Sequence, residues 1–592
     1  MKRHASMSCI YRLVWREMCG SADVTSTGEP ATRPSGWQLT LKPATATLLV
    51  ALSALSAHAA EPPPNAGTIL REIQQIVPPL PSPGGTGLAV EQQDAGQLPA
   101  SEPFQVNSIS IISGNTVFDT PTLHALVADA EGQNLTLPQL GEVVARITEY
   151  YRSHGYPLAR AIIPAQTIEA GVVRVVVSEA RYGKITLANR SETNDSLLQA
   201  TLAPLREGQV VSQAELDRSL LLLSDIPGLQ RSATLSPGES VGTSDLAVEA
   251  DAGPGITGMI TADDYGNHLS GRERLGATVM VNNPLHYGDV LTLSGLTAGR
   301  DLNYGRLSYE TLVNGQGTRV GGAFMALDYV LGDTFAQLKA HGSALVDSLW
   351  ARHPLLRGMQ ANLYGQVQFD RKILRDRVDA THLQTDRHLE NWTATLSGDG
   401  TYLDGVSTGS IAWTAGRVGF DDAQAQLSDA ATAQTAGRFS HWNASAARLQ
   451  GLGAKNELYV ALAAQWANTN LDSSEKMFAG GPYSVRAYDV SAMSGDSGAL
   501  ATAEFRRDLG NGGFGQWQAV AFVDSARLVL NQNAWSNAKN RATLSGAGLG
   551  LNLTTADQWR AKAYLATPIG QIPTQLGSTR STRAWIEVGK SF

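Results

Sequence analysis

The chain has 592 residues, too many for one ordinary domain, and its formal net charge of -8 argues against nucleic acid as a partner, since phosphate binding needs a basic face. Charged residues are only 17%, aromatics 7%, and Gly is frequent at 59, with a mean hydropathy of -0.13. That profile fits neither a helical membrane protein nor a disordered chain. It suits a membrane β-barrel, whose lipid-facing and lumen-facing residues alternate and cancel in the average.

Residues 1–59 read as a targeting segment. Lys42 precedes the apolar run Ala44 to Ala57, and Ala57-His58-Ala59 offers small residues for cleavage. The run is too short for a spanning helix, and no other run of about 18 apolar residues exists, so no transmembrane helix is expected. Cys9 and Cys19 both precede the cleavage point. The mature chain is therefore expected to carry no disulfide, thiolate metal site or cysteine nucleophile. Residues 60–103 are rich in Pro, Gly and Gln and read as linker. Within them Ile69, Leu70, Ile73 and Ile76 stand near helical spacing, so a short amphipathic helix is expected over about 66–77, stopped by Pro78, Pro79 and Pro81.

Residues 104–180 form one unit. Phe104 to Ile111 alternates as a strand, Gly114-Asn115 is a turn, and Leu140, Val143, Val144, Ile147 and Tyr151 mark a helix that Gly155-Tyr156-Pro157 ends. Ala161 to Pro164 reads as an edge strand because of its proline, and Val172 to Val177 closes the sheet. The order β-α-α-β-β resembles a POTRA domain, and Tyr151 to Gln166 (YRSHGYPLARAIIPAQ) resembles that family closely. Residues 181–252 repeat the plan more weakly, with a strand at Ile185 to Leu187, a helix from Thr193, a leucine-rich helix over Gln213 to Leu223, and strands ending at Leu246 to Glu249. Tyr151, Gly155 and Tyr156 are expected to serve the core. Such small α+β modules expose sheet edges, to which an extended client segment can add.

From residue 253 to 592 the chain reads as strand, turn, strand. Over Asn362 to Asp370, Leu363, Gly365, Val367 and Phe369 share one face. Over Glu457 to Trp466, Leu458, Val460, Leu462, Ala464 and Trp466 do the same. The opposite faces carry Gln, Asn and Asp, which suit a wet lumen, and the segments match the roughly 9 to 11 residues a tilted strand needs to cross a bilayer.

Two features in this region answer one another. Gly480-Gly481-Pro482-Tyr483-Ser484-Val485-Arg486-Ala487-Tyr488 places one arginine in a turn-rich loop, and Phe522-Val523-Asp524 places an aspartate inside an apolar strand. Asp524 is in phase with Val520 and Phe522 and out of phase with Ala519, Ala521 and Val523, so it is expected to face the lumen; towards lipid it would be costly. A carboxylate there can hold a guanidinium by two parallel bonds, a geometry lysine cannot reproduce. The loop resembles the Val-Arg-Gly-Tyr/Phe motif of the Omp85 superfamily, in particular the transporters of two-partner secretion (the ShlB/FhaC/HecB type). Ala487 replaces the common glycine of that motif, and Ala526 the glycine after the strand aspartate. Neither change removes the ion pair.

That resemblance covers about Ala66 to Phe592 and carries further expectations. It implies a 16-stranded antiparallel transmembrane β-barrel over 253–592, preceded by two POTRA domains and an N-terminal helix that plugs the lumen. Sixteen strands would leave roughly 21 residues for each strand and its connection. The resemblance implies that Arg486 and Asp524 tie the sixth extracellular loop to the barrel wall, and that losing the arginine impairs secretion. Gly480, Gly481, Val485 and Tyr488 would shape the loop, Phe522 would belong to the strand motif, and the terminal Phe592 would be the barrel assembly signal. Ile10 to Arg16 looks like the start of an extended signal peptide; the alternative is an internal start such as Met7.

The implied activity is export of a large β-helical exoprotein, an adhesin or haemolysin, captured in the periplasm through its two-partner secretion domain. The other implied partners are outer-membrane lipid and lipopolysaccharide, and the barrel assembly machinery during biogenesis. No zinc, P-loop or nucleophile-elbow motif stands out, and the histidines, His341, His353, His382 and His388 among them, lack ligand spacing and read as surface or loop imidazoles. No enzymatic activity and no cofactor or metal are expected. An outer-membrane assembly factor is the alternative, set apart by its larger number of POTRA units. A diffusion pore would not need such units, and a barrel-borne esterase would need a nucleophile.

Overall fold

A computed structural model describes residues 64–74, 88–90, 99–112, 116–576 and 581–592. The expected signal peptide with Cys9 and Cys19, the helix positions after Gln74, most of the linker and the Gly114-Asn115 turn lie outside the described residues.

Helix α1 (Ala66–Ile73) starts on Asn65, whose side chain accepts the Thr68 N–H. The linker then supplies strand β1 (Leu88–Val90), which its composition did not signal. In the first α+β unit, β2 (Phe104–Gln105), β3 (Ser108–Ile112), α2 (Thr120–Ala125), β4 (Asn134–Leu135), α3 (Leu137–Ser153), β5 (Arg160–Ile162) and β6 (Val172–Ser178) follow in order. The strand expected over Phe104 to Ile111 is split. Val106 and Asn107 send their N–H groups to the carbonyls of Gln133 and Gly171 instead of a ladder partner. Helix α3 opens with a capping box between Thr136 and Gln139 and buries Leu140, Val143, Val144, Ile147 and Tyr151. Gly155 ends the turn with φ +88°. The Tyr151 hydroxyl donates to Glu179, which also accepts from the N–H groups of Thr116 and Val117. Burial pushes the Glu179 carboxyl up, but these donors outweigh it and hold it below the ordinary glutamate range.

The second unit contains β7 (Arg181–Asn189), α4 (Asp195–Leu202), α5 (Gln213–Ser224), β8 (Leu229–Pro237) and β9 (Thr243–Ala252). Its sheet runs β1-β8-β9-β7, so the linker strand forms one edge. The unit rests on the rim of the next domain. Arg357 grips the Asp225 carboxylate with two bonds of 2.8 and 2.7 Å, and Arg319 donates to the Asp225 carbonyl.

Sixteen strands then close into a barrel. They are β10 (Ile256–Asp263), β11 (Arg274–Asn282), β12 (Val290–Thr297), β13 (Leu302–Leu312), β14 (Arg319–Val330), β15 (Ala340–Arg357), β16 (Ala361–Val378), β17 (Leu383–Tyr402), β18 (Gly405–Phe420), β19 (Gly437–Gly451) and β20 (Asn456–Ala467), then, after two short strands β21 (Met477–Ala479) and β22 (Met493–Gly495) in a loop, β23 (Ser497–Gly512), β24 (Gly515–Val529), β25 (Arg541–Thr554), β26 (Trp559–Pro568) and β27 (Arg583–Ser591). Neighbours pair antiparallel, and β10 closes on β27 over Met259–Asp263. The expected fold class is the observed one. Because β9 leads directly into β10, the end of the barrel at Ile256 is its near rim, beside the second unit, and Asp263 marks the far rim.

The outward face is apolar where the bilayer belongs. Leu349, Val367, Trp392, Trp466, Leu549 and Leu565 are all half or more exposed. Phe369 and Trp392 lie 5.1 Å apart across β16 and β17, and Trp413 and Trp442 6.4 Å apart across β18 and β19. Towards the far rim from these rings the outward positions become charged: Arg371, Glu390, Arg417 and Arg438. Aromatic rings at the boundary and charges beyond it are the pattern of a membrane barrel's interface. Among the described residues no helix is long and apolar enough to cross a membrane.

Candidate functional site

The connection between β20 and β23 leaves the far rim and turns back into the lumen instead of staying in solvent. Two glycines make this possible. Gly480 and Gly481 have φ of +112° and +97°, backbone shapes that side chains disfavour. A Cβ on Gly480 would stand 2.1 Å from the Asp489 carbonyl oxygen. The Ser484 hydroxyl spans the turn, accepting the Gly480 N–H and donating to the Gly480 carbonyl. Gly480→Ala is therefore expected to expel the loop from its fold while leaving barrel assembly intact. The measurement is protease cleavage within 468–496 on whole cells, against the unchanged heat-modifiable mobility of the folded barrel.

Arg486 sits at the innermost part of the loop, 4% exposed, against Asp524 at 0%. Its Nε and Nη2 donate to the two Asp524 oxygens at 2.9 and 2.8 Å, and its backbone N–H adds a third bond at 3.1 Å. Its Nη1 reaches a second carboxylate, Glu504 on β23, at 2.7 Å. The guanidinium lies 3.4 Å above the Phe522 ring, a cation–π contact inside the wall. Thr502 donates to Asp524, Arg506 satisfies the other oxygen of Glu504, and the Trp585 indole N–H donates to the Arg486 carbonyl. Two arginines thus face two carboxylates, and the buried cluster carries no net charge. Val485 and Tyr488 are buried in the apolar cluster around Phe522. Ala487 has ordinary backbone and lies over Gly546 of β25, where an added Cβ would come within 2.4 Å of its methyl. The small residue missing from the loop motif is thus matched by one in the wall. Phe592, on the near rim, exchanges both backbone bonds with Gly258 and seals the seam of β10 and β27.

A second set of polar contacts holds the start of the loop on the opposite wall. Glu475 lies against Lys372 of β16 and 3.1 Å from His441 Nε2 of β19. His441 is 4% exposed, so at this position the expectation of a surface or loop imidazole is corrected: the ring points inward, in phase with Phe439 and Asn443. Arg387 of β17 pairs with Asp376 of β16 at 3.0 Å and with the loop's Asp472 at 2.7 Å. Helix α1 enters this same node. Its first N–H, on Ala66, donates to Asp376 at 2.7 Å, and the Ser473 hydroxyl of the loop donates to Asn65 at 2.6 Å. A carboxylate at a helix N-terminus also suits the helix dipole. Ala66, Ile69 and Leu70 are fully buried among inward residues of β14 to β19, including Leu327, Ala344, Leu374 and Phe439. The helix and the loop therefore share the lumen, beside a cavity of about 570 Å³ whose lining includes Tyr459, Glu504, Arg506, Asn552 and Lys562.

Sequence reading placed Arg486 and Asp524 but missed Glu504, Lys372, Arg387 and Glu475. Glu504 was within reach, because it alternates in phase with Thr502 and Arg506 along β23 as Asp524 does along β24. The loop acids carry no comparable period. Among the described residues no cluster of histidine, cysteine or acidic side chains has the form of a metal site.

A closed lipid-facing barrel, small α+β units at its near rim and an inward loop clamped to its wall define an outer-membrane transporter of the Omp85 type, with those units in the periplasm. Residues 242–553 match the family model of the haemolysin secretion/activation protein ShlB/FhaC/HecB, and residues 104–180 match the ShlB-type POTRA domain. The chain belongs to that family, the outer-membrane transporters of two-partner secretion, whose members have a secreted exoprotein as partner. The heme/hemopexin transporter protein HuxB of Haemophilus influenzae is 26% identical over 89% of this chain and 95% of its own length. The outer membrane transporter CdiB of Escherichia coli is 26% identical over 76% of this chain and 77% of its own. The solved structure of CdiB from Escherichia coli has the same fold, with a TM-score of 0.66 at 22% identity over 85% of this chain and 92% of that one.

Proposed function

We propose that this protein carries one large β-helical exoprotein, an adhesin or haemolysin, from the periplasm to the cell surface. The observation that carries the reading is the filling of the lumen. A passive channel keeps its bore open, whereas here the bore holds α1 and an inward loop, both joined to the wall by side-chain contacts that can be exchanged. In this reading α1 is a plug that leaves when a client arrives. The Arg486–Asp524–Glu504 cluster fixes the loop as the passage opens, Gly480, Gly481, Val485 and Tyr488 shape it, and Phe522 supports the guanidinium. The POTRA units take up the N-terminal secretion domain of the client in extended form. Folding of the client outside prevents its return and drives transport, so no nucleotide and no catalytic step are required. Phe592 serves as the assembly signal read by the barrel assembly machinery, and the charged outward positions beyond the aromatic row meet the lipopolysaccharide headgroups.

The test is a deletion of this gene in cells that also carry a gene for an exoprotein with an N-terminal two-partner secretion domain. The exoprotein is expected to disappear from the medium, with other outer-membrane proteins unchanged on heat-modifiable gels. General loss of folded outer-membrane proteins would favour the assembly-factor alternative instead.

A further inference from the structure

Beyond the aromatic rings a row of charged side chains runs across five neighbouring strands. Register places Asp347 of β15 opposite Arg371 of β16, Arg371 opposite Glu390 of β17, Glu390 opposite Arg417 of β18, and Arg417 opposite Arg438 of β19. All five are exposed on the outward face. The signs of the first four alternate, as cross-strand neighbours favour, and the fifth breaks the alternation. Two arginines therefore stand directly opposite one another, an arrangement that costs stability when nothing lies between them. No acid closes the row, because the pairing of β19 with β20 begins only at His441. Among the described residues neither Arg417 nor Arg438 has a side-chain hydrogen bond or an ion pair. Farther from the membrane the charges are matched in pairs, Arg377 with Asp386 and His388 with Asp421.

The depth of this pair is fixed by two indole rings. Trp413 and Trp442 lie opposite each other, and each is four residues along its strand from its arginine. At roughly 3.3 Å per residue and a tilt near 40°, the arginines leave the wall on the order of 10 Å above the rings, at headgroup level in the outer leaflet. The pair between them is Ala415 opposite Ser440. These small side chains leave an open step, with rings below and guanidinium groups above. We propose that the step binds one phosphorylated glycolipid of the outer leaflet, lipopolysaccharide. Its phosphate is held between Arg417 and Arg438, its sugar lies over Ala415 and Ser440, and its acyl chains run past Trp413 and Trp442. This rests on the assignment of the outward charges to lipopolysaccharide headgroups and narrows it to one place. A phosphate suits two planar forks, each able to donate two bonds, and its charge removes the repulsion between them. A glycolipid fits better than a phospholipid, because its sugar lifts the phosphate above the step. A glycerol-linked phosphate sits lower, at the level of Ala415 and Ser440.

The experiment uses the full-length purified protein in detergent, with retained lipid counted by native mass spectrometry. The probes are bisphosphorylated lipid A, the same lipid A without its phosphates, and phosphatidylglycerol. The forms are wild type, Arg417→Ala/Arg438→Ala, Arg417→Lys/Arg438→Lys, and the charge-matched control Arg371→Ala/Arg375→Ala on β16. Wild type is expected to hold one bisphosphorylated lipid A about tenfold more tightly than the Arg417→Ala/Arg438→Ala form does, as loss of charged hydrogen bonds implies. Removing the phosphates, or offering phosphatidylglycerol, should weaken binding to wild type by a similar factor. The lysine form keeps the charge and the fold but not the paired bonds, so it should still bind several-fold more weakly than wild type, and it decides the matter if the alanine form fails to insert. Equal lipid A binding by wild type and the lysine and alanine forms overturns the proposal. So does an equal loss in the β16 control, which would make the effect one of overall charge. Lipid A bound no better than phosphatidylglycerol by any form removes the lipopolysaccharide assignment itself. A preference for lipid A that survives in the alanine form leaves that assignment standing and removes only the site.

Discussion

Replacing Arg486 by alanine is expected to leave the barrel inserted in the outer membrane and to stop export of the exoprotein. The reason is electrostatic. Arg486 supplies four of the donors to Asp524 and Glu504, counting its backbone N–H, and both acids are nearly sealed from solvent. Without the guanidinium, two carboxylates remain with Arg506 alone. Leaving a buried charge unpaired costs about 3–5 kcal/mol, enough to shift the loop from its inward position by a factor of a hundred or more. The barrel itself does not depend on the loop, because the ladder from β20 to β23 and on to β24 is made by backbone groups. Secretion is read as exoprotein in the medium, and insertion as heat-modifiable mobility. Arg486→Lys is expected to fail nearly as badly, since an ammonium cannot span Asp524 and Glu504 in one plane. Exchanging the charges as Arg486→Asp with Asp524→Arg should recover part of the export. Normal export by Arg486→Ala would remove the loop from the mechanism.

The second large effect is expected from Arg387→Ala. Arg387 joins four pieces of the molecule: β17, on which it stands, β16 through Asp376, the loop through Asp472, and α1 through the Asp376–Ala66 bond. Its removal leaves Asp376 and Asp472 close together in the lumen with one cation fewer. The repulsion falls on the contacts that hold the helix N-terminus and the loop start in place. A loss of about 3 kcal/mol would raise the unplugged population roughly a hundredfold. Purified Arg387→Ala protein should therefore conduct in planar bilayers far more than wild type, with large, long openings. Traces like those of wild type would show that this node does not retain the helix.

The two variants also separate what the sequence made legible from what it hid. The wall was readable because a strand repeats every two residues: Val367 and Phe369 outward, Asp370 inward, and likewise Trp466 outward and Gln465 inward. The same period placed Asp524 in the lumen. A pair of glycines followed by an arginine marked the loop. The second anchor was invisible for a physical reason. Asp472 and Glu475 sit on an irregular stretch with no period, and their partners Arg387, Lys372 and His441 come from three separate strands that meet only once the barrel closes. Strand β1 was hidden by its surroundings, since three residues between glycines and glutamines give no pattern to read. Resemblance supplied the number of strands, which periodicity alone could not fix.

The unequal length of the strands has an outcome for the cell surface. Strands β10 to β12 have 8 or 9 residues, whereas β15 to β18 have 16 to 20. Crossing a bilayer takes roughly 9 to 11. Beyond the Phe369 and Trp392 rings, nine residues of β16 and nine of β17 continue with outward side chains that are charged or polar except Ile373. At roughly 3.3 Å per residue and a tilt near 40°, that hairpin rises on the order of 20 Å above the lipid. One flank of the exit is thus walled by a β palisade and the other lies almost level with the membrane. An emerging chain is offered only one side on which to spread, and antibodies or phage approaching the cell meet the tall flank first.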